Sequence, residues 1–313
     1  MPVPAEGSTV AVTGATGFVG SWVVTYLLER GYGVRACVRD ADDRQKTGFL
    51  RAMPAFVAGT LTLHSCEMTT PGVFDSVFDG CSAVIDTAAN LGVPPEQMLE
   101  EYTLVNRLLI ASVEKAASVR RVVFTSSDEA MLDANLDLLK ANPIVDEARF
   151  TDQSDPLCTP EILGYNIAKI ACETAFSEAA LASGGRWDCM HGNPGDIVGP
   201  ILSPHQASGG FQSAVGAMAM GIALPQHPLG RPFMTVDVRD VAMAHVLLME
   251  SSTAPSGARY LLDTDDKVFI DDYGAHIAAA LLPAGLHIDG APSCRFPCTC
   301  ISIFNLLHGG TCN

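Results

Sequence analysis

Short, almost purely apolar runs recur along this chain, separated by segments whose apolar residues return every three or four positions. The runs are TVAVTG (9–14), GVRACV (33–38), TLTLHS (60–65), SAVIDTA (82–88), RRVVFTSS (120–127) and DCMHGNP (188–194), and each reads as a strand. Segments 18–30, 97–117 and 162–183 between them carry the helical spacing. Strands that are apolar throughout, and not on alternate positions only, need cover on both faces. The alternation therefore predicts an α/β fold: a Rossmann-type, doubly wound parallel sheet with helices on either side. Beyond residue 190 the pattern loosens. SPHQASGGFQSAVG (203–216) and ALPQHPLGRP (223–232) are rich in Gly, Pro and Ser and read as loops around a smaller lobe. The division expected is 7–190 mainly for a dinucleotide-binding domain, 191–285 mainly for a substrate lobe interleaved with the sheet, and 286–313 for a divergent tail.

The first strand runs into GATGFVG, with Gly14, Gly17 and Gly20 at a fixed spacing, and then into SWVVTYLLER, which has helical spacing. A strand, a glycine turn and a helix in that order form a dinucleotide fingerprint. One glycine makes the tight turn, one lets the backbone approach a pyrophosphate, and one lets the helix pack against the strand. The spacing here is GxxGxxG, and a simple turn would need only one of the three.

Composition changes the picture in one place. With a net charge of −16 and a pI near 4.7, the 313-residue chain repels nucleic acid and anionic membrane surfaces. Residues 30–51 nevertheless gather Arg30, Arg35, Arg39, Arg44, Lys46 and Arg51 against only Asp40, Asp42 and Asp43. Arg39 falls where the second strand ends, the position at which an acid selects the ribose of NAD and an arginine accommodates the 2′-phosphate of NADP. Asp40, one residue later, would reverse that preference if the strand ended one position further on. No apolar run is long enough to span a bilayer and no signal peptide opens the sequence, so a soluble, cytoplasmic protein is expected. Most of the ten cysteines are scattered without CxxC pairs, as suits reduced thiols. Cys294, Cys298, Cys300 and Cys312 crowd the tail with His308 nearby, but their spacing fits no usual zinc site, and no metal is expected.

Candidate chemistry lies further along. Tyr165 and Lys169 in GYNIAK are four residues apart and share a helix face, and Ser127 in FTSSDEA closes the fifth strand at the carboxyl edge of the sheet. With VTGATGFVGSWVV, VRACVRD, VVFTSS, YNIAKIACE, GNPGDIVGP and TVDVRDVAMAH, the sequence over residues 7–275 resembles the extended short-chain dehydrogenase/reductases. Within them it is similar to the branch of dihydroflavonol reductases, cinnamoyl-CoA reductases and yeast-type aldehyde/ketone (methylglyoxal) reductases. The resemblance implies Ser127, Tyr165 and Lys169 as the catalytic set. For an NADP(H) cofactor it implies Gly14, Thr16, Gly17, Phe18 and Val19 at the pyrophosphate, Arg39 and Lys46 near the 2′-phosphate, Glu67 and Met68 beside the adenine, Ala88 and Ala89 along the cleft, and Pro194 by the nicotinamide. Tyr165 and Lys169 also touch the cofactor in that scheme.

The implied partner is a small carbonyl compound, with no nucleic acid or membrane, and the protein is expected as a monomer or homodimer. Hydride addition leaves negative charge on the carbonyl oxygen, which Tyr165 would protonate while Ser127 orients it. Lys169 is expected to lower the Tyr165 pKa and to hold the ribose hydroxyls. Met131, Leu132, Phe211, Met218 and Met220 are apolar candidates for the substrate lining, and His205 and His227 are read as loop histidines facing solvent. DEAMLDANLDLL after Ser127 and Glu67 in place of an aspartate depart from the family pattern. Two other classes share the scaffold: an NAD-dependent nucleotide-sugar epimerase/dehydratase, which needs a basic cradle for a diphosphate, and a non-catalytic NADP sensor, which has no need of Ser127, Tyr165 and Lys169 together.

Overall fold

The computed structural model describes residues 4–5, 7–133, 145–219, 233–264 and 267–268. Its strands and helices begin as the apolar runs dictate. β1 (Thr9–Thr13), β2 (Gly33–Val38), β3 (Leu61–Ser65), β4 (Ala83–Asp86), β5 (Arg121–Thr125) and β6 (Asp188–Pro194) lie within a residue or two of the expected strands. With β9 (Ala258–Leu262) they form one seven-stranded parallel sheet in the order β3-β2-β1-β4-β5-β6-β9. A smaller sheet joins β10 (Lys267–Val268), β8 (Phe233–Asp237) and β7 (Asp196–Val198). The helices are α1 (Phe18–Glu29), α2 (Arg44–Arg51), α3 (Pro54–Val57), α4 (Asp75–Phe78), α5 (Pro95–Lys115), α6 (Pro160–Ala182), α7 (Gly210–Ala219) and α8 (Val238–Glu250).

Successive strand residues point to opposite faces, so the apolar runs feed two separate cores. Ala11, Val84, Val122 and Phe124 pack with Phe78, Leu109 and Phe176 under α4, α5 and α6. Val10, Val12, Ile85 and Val123 pack with Val24, Leu27, Val246 and Met249 under α1 and α8. Arg121 ties this second layer to the sheet edge. Its guanidinium, 1% exposed, donates to both oxygens of Asp188 at 2.8 and 2.7 Å and to the carbonyls that end α8. Among the described residues beyond 190, β9 and α8 build the large sheet and its cover, while β7, β8, β10 and α7 form the second unit. The tail cysteines, Met220, His227 and Arg231 lie outside the described residues.

Candidate active site

A cleft of about 930 Å³ opens along the carboxyl ends of the strands, where doubly wound sheets bind ligands. The residues expected to be catalytic or to bind the cofactor all line it: Gly14, Thr16, Gly17, Phe18, Val19, Arg39, Lys46, Glu67, Met68, Ala88, Ala89, Ser127, Tyr165, Lys169 and Pro194.

At one end is the glycine turn. Gly14 has a φ of +64°, a left-handed conformation that costs a residue with a Cβ energy, and a Cβ on Gly20 would sit 2.3 Å from the Gly14 carbonyl oxygen. The turn is thus as tight as a chain can make it. Helix α1 starts immediately after Gly17 with no side-chain cap and no acid in its first turn, which leaves its first N–H groups and its dipole for an anion. A dinucleotide fits this cradle: α1 starts without a side-chain cap, and a Cβ on Gly14 or Gly20 would run into neighbouring backbone.

The basic run is sorted by the structure. Arg30 pairs with Glu250, Arg35 donates to the carbonyls of Val77 and Asp79, and Arg51 donates to the Ala41 carbonyl and lies over Phe56, so these three brace the fold. Arg44 does not line the cleft, whereas Arg39 and Lys46 do. Arg39 pairs with no carboxylate among the described residues, and Lys46 is held loosely by Asp43 at 3.7 Å. Strand β2 ends at Val38, before both Arg39 and Asp40. Asp40 turns away, accepting from the Asp42 backbone N–H at 2.9 Å, and does not line the cleft.

The other end holds the candidate chemistry. β5 stops at Thr125, and Ser127 follows in extended conformation as the cap of a 3₁₀ turn, Asp128–Met131. Its carbonyl accepts from the Asn193 side chain at 3.0 Å, and its hydroxyl donates to Asp128 Oδ1 at 3.1 Å. Glu173, one turn beyond Lys169 on α6, accepts from Asn193 at 2.6 Å and from Ser126. Tyr165 is half-buried, hydrogen-bonds the Ser127 side chain, and meets the Tyr102 ring edge-on at 6.2 Å. Lys169, one turn along the same helix, donates to the Thr125 carbonyl at 2.8 Å, with its ammonium 5.6 Å from the Tyr165 ring centre.

One electrostatic expectation is corrected here. Burial pushes the Tyr165 phenol well above its ordinary value, Glu129, Asp128 and Asp196 push it further the same way, and only the Ser127 bond opposes them. Burial also lowers Lys169, against the opposing pull of Asp86 and Glu173. A second correction concerns the lining: Met131 and Leu132 are buried in the core and do not reach the cleft, while Phe211 does.

His205 is a further correction, because it does not face solvent. Its Nε2 bonds the Thr16 carbonyl at 2.8 Å and its Nδ1 bonds Ser203 at 2.9 Å. Gln206, missed in the sequence, donates to the carbonyls of Thr16 and Gly17 and to Ser21. Its amide oxygen accepts from the Ser203 backbone, and the S-x-x-Q spacing of SPHQ is the capping-box signal that could have found it. Asp196, Gln212 and Leu91 also line the cleft, with no local signal to mark them.

The chain is similar to known proteins over most of its length. Residues 10–262 match the NAD dependent epimerase/dehydratase family. Cinnamoyl-CoA reductase 2 of Arabidopsis thaliana is 35% identical over 263 residues, covering 82% of this chain and 73% of that protein. Dihydroflavonol 4-reductase of Dianthus caryophyllus is 31% identical over 262 residues, covering 82% and 69%. Among solved structures, yeast methylglyoxal/isovaleraldehyde reductase complexed with NADPH superposes with a TM-score of 0.72 at 21% identity, covering 92% of this chain and 86% of that one.

Proposed function

The chain belongs to the NAD dependent epimerase/dehydratase family, the extended short-chain dehydrogenase/reductases, and from that premise we propose that it is an NADPH-dependent carbonyl reductase. It would reduce an aldehyde or ketone to an alcohol. One observation carries the reading: Ser127, Tyr165 and Lys169 line the same cleft as the glycine turn, with the Lys169 ammonium 5.6 Å from the Tyr165 ring centre. Reductase names among relatives more than 30% identical point the same way.

The bound dihydronicotinamide supplies the hydride; the protein handles the oxygen. Tyr165 gives its proton to the developing alkoxide, and Ser127 orients that oxygen. Lys169, held by the Thr125 carbonyl, would bind the ribose hydroxyls and help to reprotonate the tyrosine. Of the residues that line the cleft, Arg39 and Lys46 would receive the 2′-phosphate, the α1 N-terminus and glycine turn the pyrophosphate, and Glu67 and Met68 the adenine, with Ala88, Ala89 and Pro194 along the cofactor. A nucleotide-sugar substrate would need cations at the substrate end. Among the described residues that line it stand Asp128, Glu129 and Asp196, which favours the simpler carbonyl compound. The test is a panel of aldehydes and ketones followed by loss of NADPH absorbance. Turnover is expected with several of them, and failure across the panel while NADPH still binds would reject the assignment.

A further inference from the structure

The glycine turn is held from outside by a segment that follows β7 and ends in the 3₁₀ turn Pro204–Ser208. Near its start the Pro200 carbonyl accepts from the Trp22 indole of α1 at 2.9 Å. Near its end stands Gln206, 4% exposed, with both polar atoms of its amide used, as burial of an amide requires. Its Oε1 accepts from the backbone N–H groups of Leu202 and Ser203 at 2.8 and 3.3 Å. Its Nε2 shares two hydrogens among the Thr16 carbonyl at 3.0 Å, the Gly17 carbonyl at 3.2 Å and Ser21 Oγ at 3.0 Å. His205 gives the Thr16 carbonyl a second donor: a carbonyl can only accept, so Nε2 carries the proton of that 2.8 Å bond. The imidazole lies 6.2 Å from the Phe49 ring of α2, between centres.

Why these carbonyls need holding follows from the peptide plane. In a trans peptide the N–H and C=O point in opposite directions, and beside a glycine the plane can turn over at little cost. A carbonyl swung into the cradle would set the negative end of its dipole against a pyrophosphate, whereas an N–H in the same place attracts one. The Thr16–Gly17 peptide is braced at both ends, its carbonyl by Gln206 and His205 and its N–H by the Gly14 carbonyl at 2.8 Å. The Gly17 carbonyl is drawn along α1 by the Ser21 N–H at 3.0 Å and by Gln206, which turns the Phe18 N–H, the first of the helix, out of the N-terminus. Resting on the NADP(H)-dependent reading, we propose that Gln206, assisted by His205, is a positioning residue for the cofactor: it locks these two peptides so that the helix donors meet the pyrophosphate. A side chain of the smaller unit thereby sets the anion site of the dinucleotide domain.

Gln206→Met keeps the length of the side chain and removes its amide. The measurement is calorimetric titration of wild type and variant with NADPH, with NADH and with adenosine 2′-monophosphate, which has the adenine and the 2′-phosphate but no pyrophosphate. In the variant both dinucleotides should bind about tenfold more weakly, the scale of one or two lost hydrogen bonds, while the monophosphate keeps its affinity within about twofold. His205→Phe keeps a ring beside Phe49 and removes one donor to Thr16; it should weaken the dinucleotides alone by about threefold, and serves if Gln206→Met does not fold. Unchanged dinucleotide affinity in the variants would overturn the proposal. So would an equal loss for all three ligands, the mark of a segment that only supports the fold. A wild type that binds NADPH yet reduces no carbonyl compound would reject the parent reading alone, and the titrations would still decide this one; a wild type that binds no NADPH would reject both.

Discussion

At the scale of single residues the cleft divides cleanly into groups that hold and groups that react. Tyr165→Phe removes the proposed proton donor and leaves the ring against Tyr102 and Lys169. Turnover should fall by roughly 10² to 10⁴ while NADPH affinity, read by fluorescence titration, is kept; near-normal turnover would refute the role. Arg39, on the proposed reading, decides cofactor choice. An arginine on a phosphate forms charge-assisted hydrogen bonds of about 1.5 to 3 kcal/mol, whereas the −16 of the whole chain acts from distances screened beyond roughly 8 to 10 Å. Wild type should therefore prefer NADPH to NADH by about tenfold to a hundredfold, and Arg39→Ala should lose NADPH efficiency with little change for NADH. A wild type that favours NADH would contradict it. The position of Asp40, capping its own turn, removes the one local objection.

Among the elements, the contact that sets the site is between α5 and α6. Gly164 lies where α6 meets the start of α5, and a Cβ there would come 1.9 Å from the Pro95 carbonyl oxygen. The preceding residue, Leu163, has left helical geometry, with φ −122° and ψ 30°, to allow the approach. Gly164→Ala must push the two helices apart beside Tyr165. We expect a loss of about 1 to 3 kcal/mol, read as a lower Tm, together with a fall in kcat larger than the change in NADPH affinity. An unchanged Tm would show that the helices can separate freely. The strap of His205 and Gln206 is the other such element: it joins the smaller unit to the carbonyls of the glycine turn.

The molecule as a whole carries a pH dependence in its core. His245, fully buried between α8 and β5, bonds Thr125 at 2.8 Å and the Val241 carbonyl at 2.7 Å, and burial lowers it to about 4. His191 on β6 is lowered to about 3 for the same reason. Both are neutral when folded and titrate near 6.5 when unfolded, so their contribution is complete above that value and is lost as pH falls toward 4. At about 1.4 kcal/mol per unit the loss amounts to a few kcal/mol. Tm should drop between pH 6.5 and 4.5, and His245→Asn should flatten that slope; an identical slope in the variant would exclude the histidine. Much of this protein was legible in the linear chain because its signals are local. Apolar runs without alternation can only be strands covered on both faces, a glycine triplet between strand and helix can only be a tight turn, and a Tyr-Lys pair four apart must share a helix face. Arg39 was marked by its place at the end of the second strand, but what occupies Arg30, Arg35 and Arg51 was not legible, since their partners come from distant elements. The charge state of Tyr165 was also hidden: it depends on burial and on Asp128, Glu129 and Asp196, which loops bring together from positions up to 68 residues apart. Local pattern determined the fold and marked the candidate site residues, and tertiary packing decided their electrostatics, because desolvation and charge proximity exist only once the chain has closed on itself.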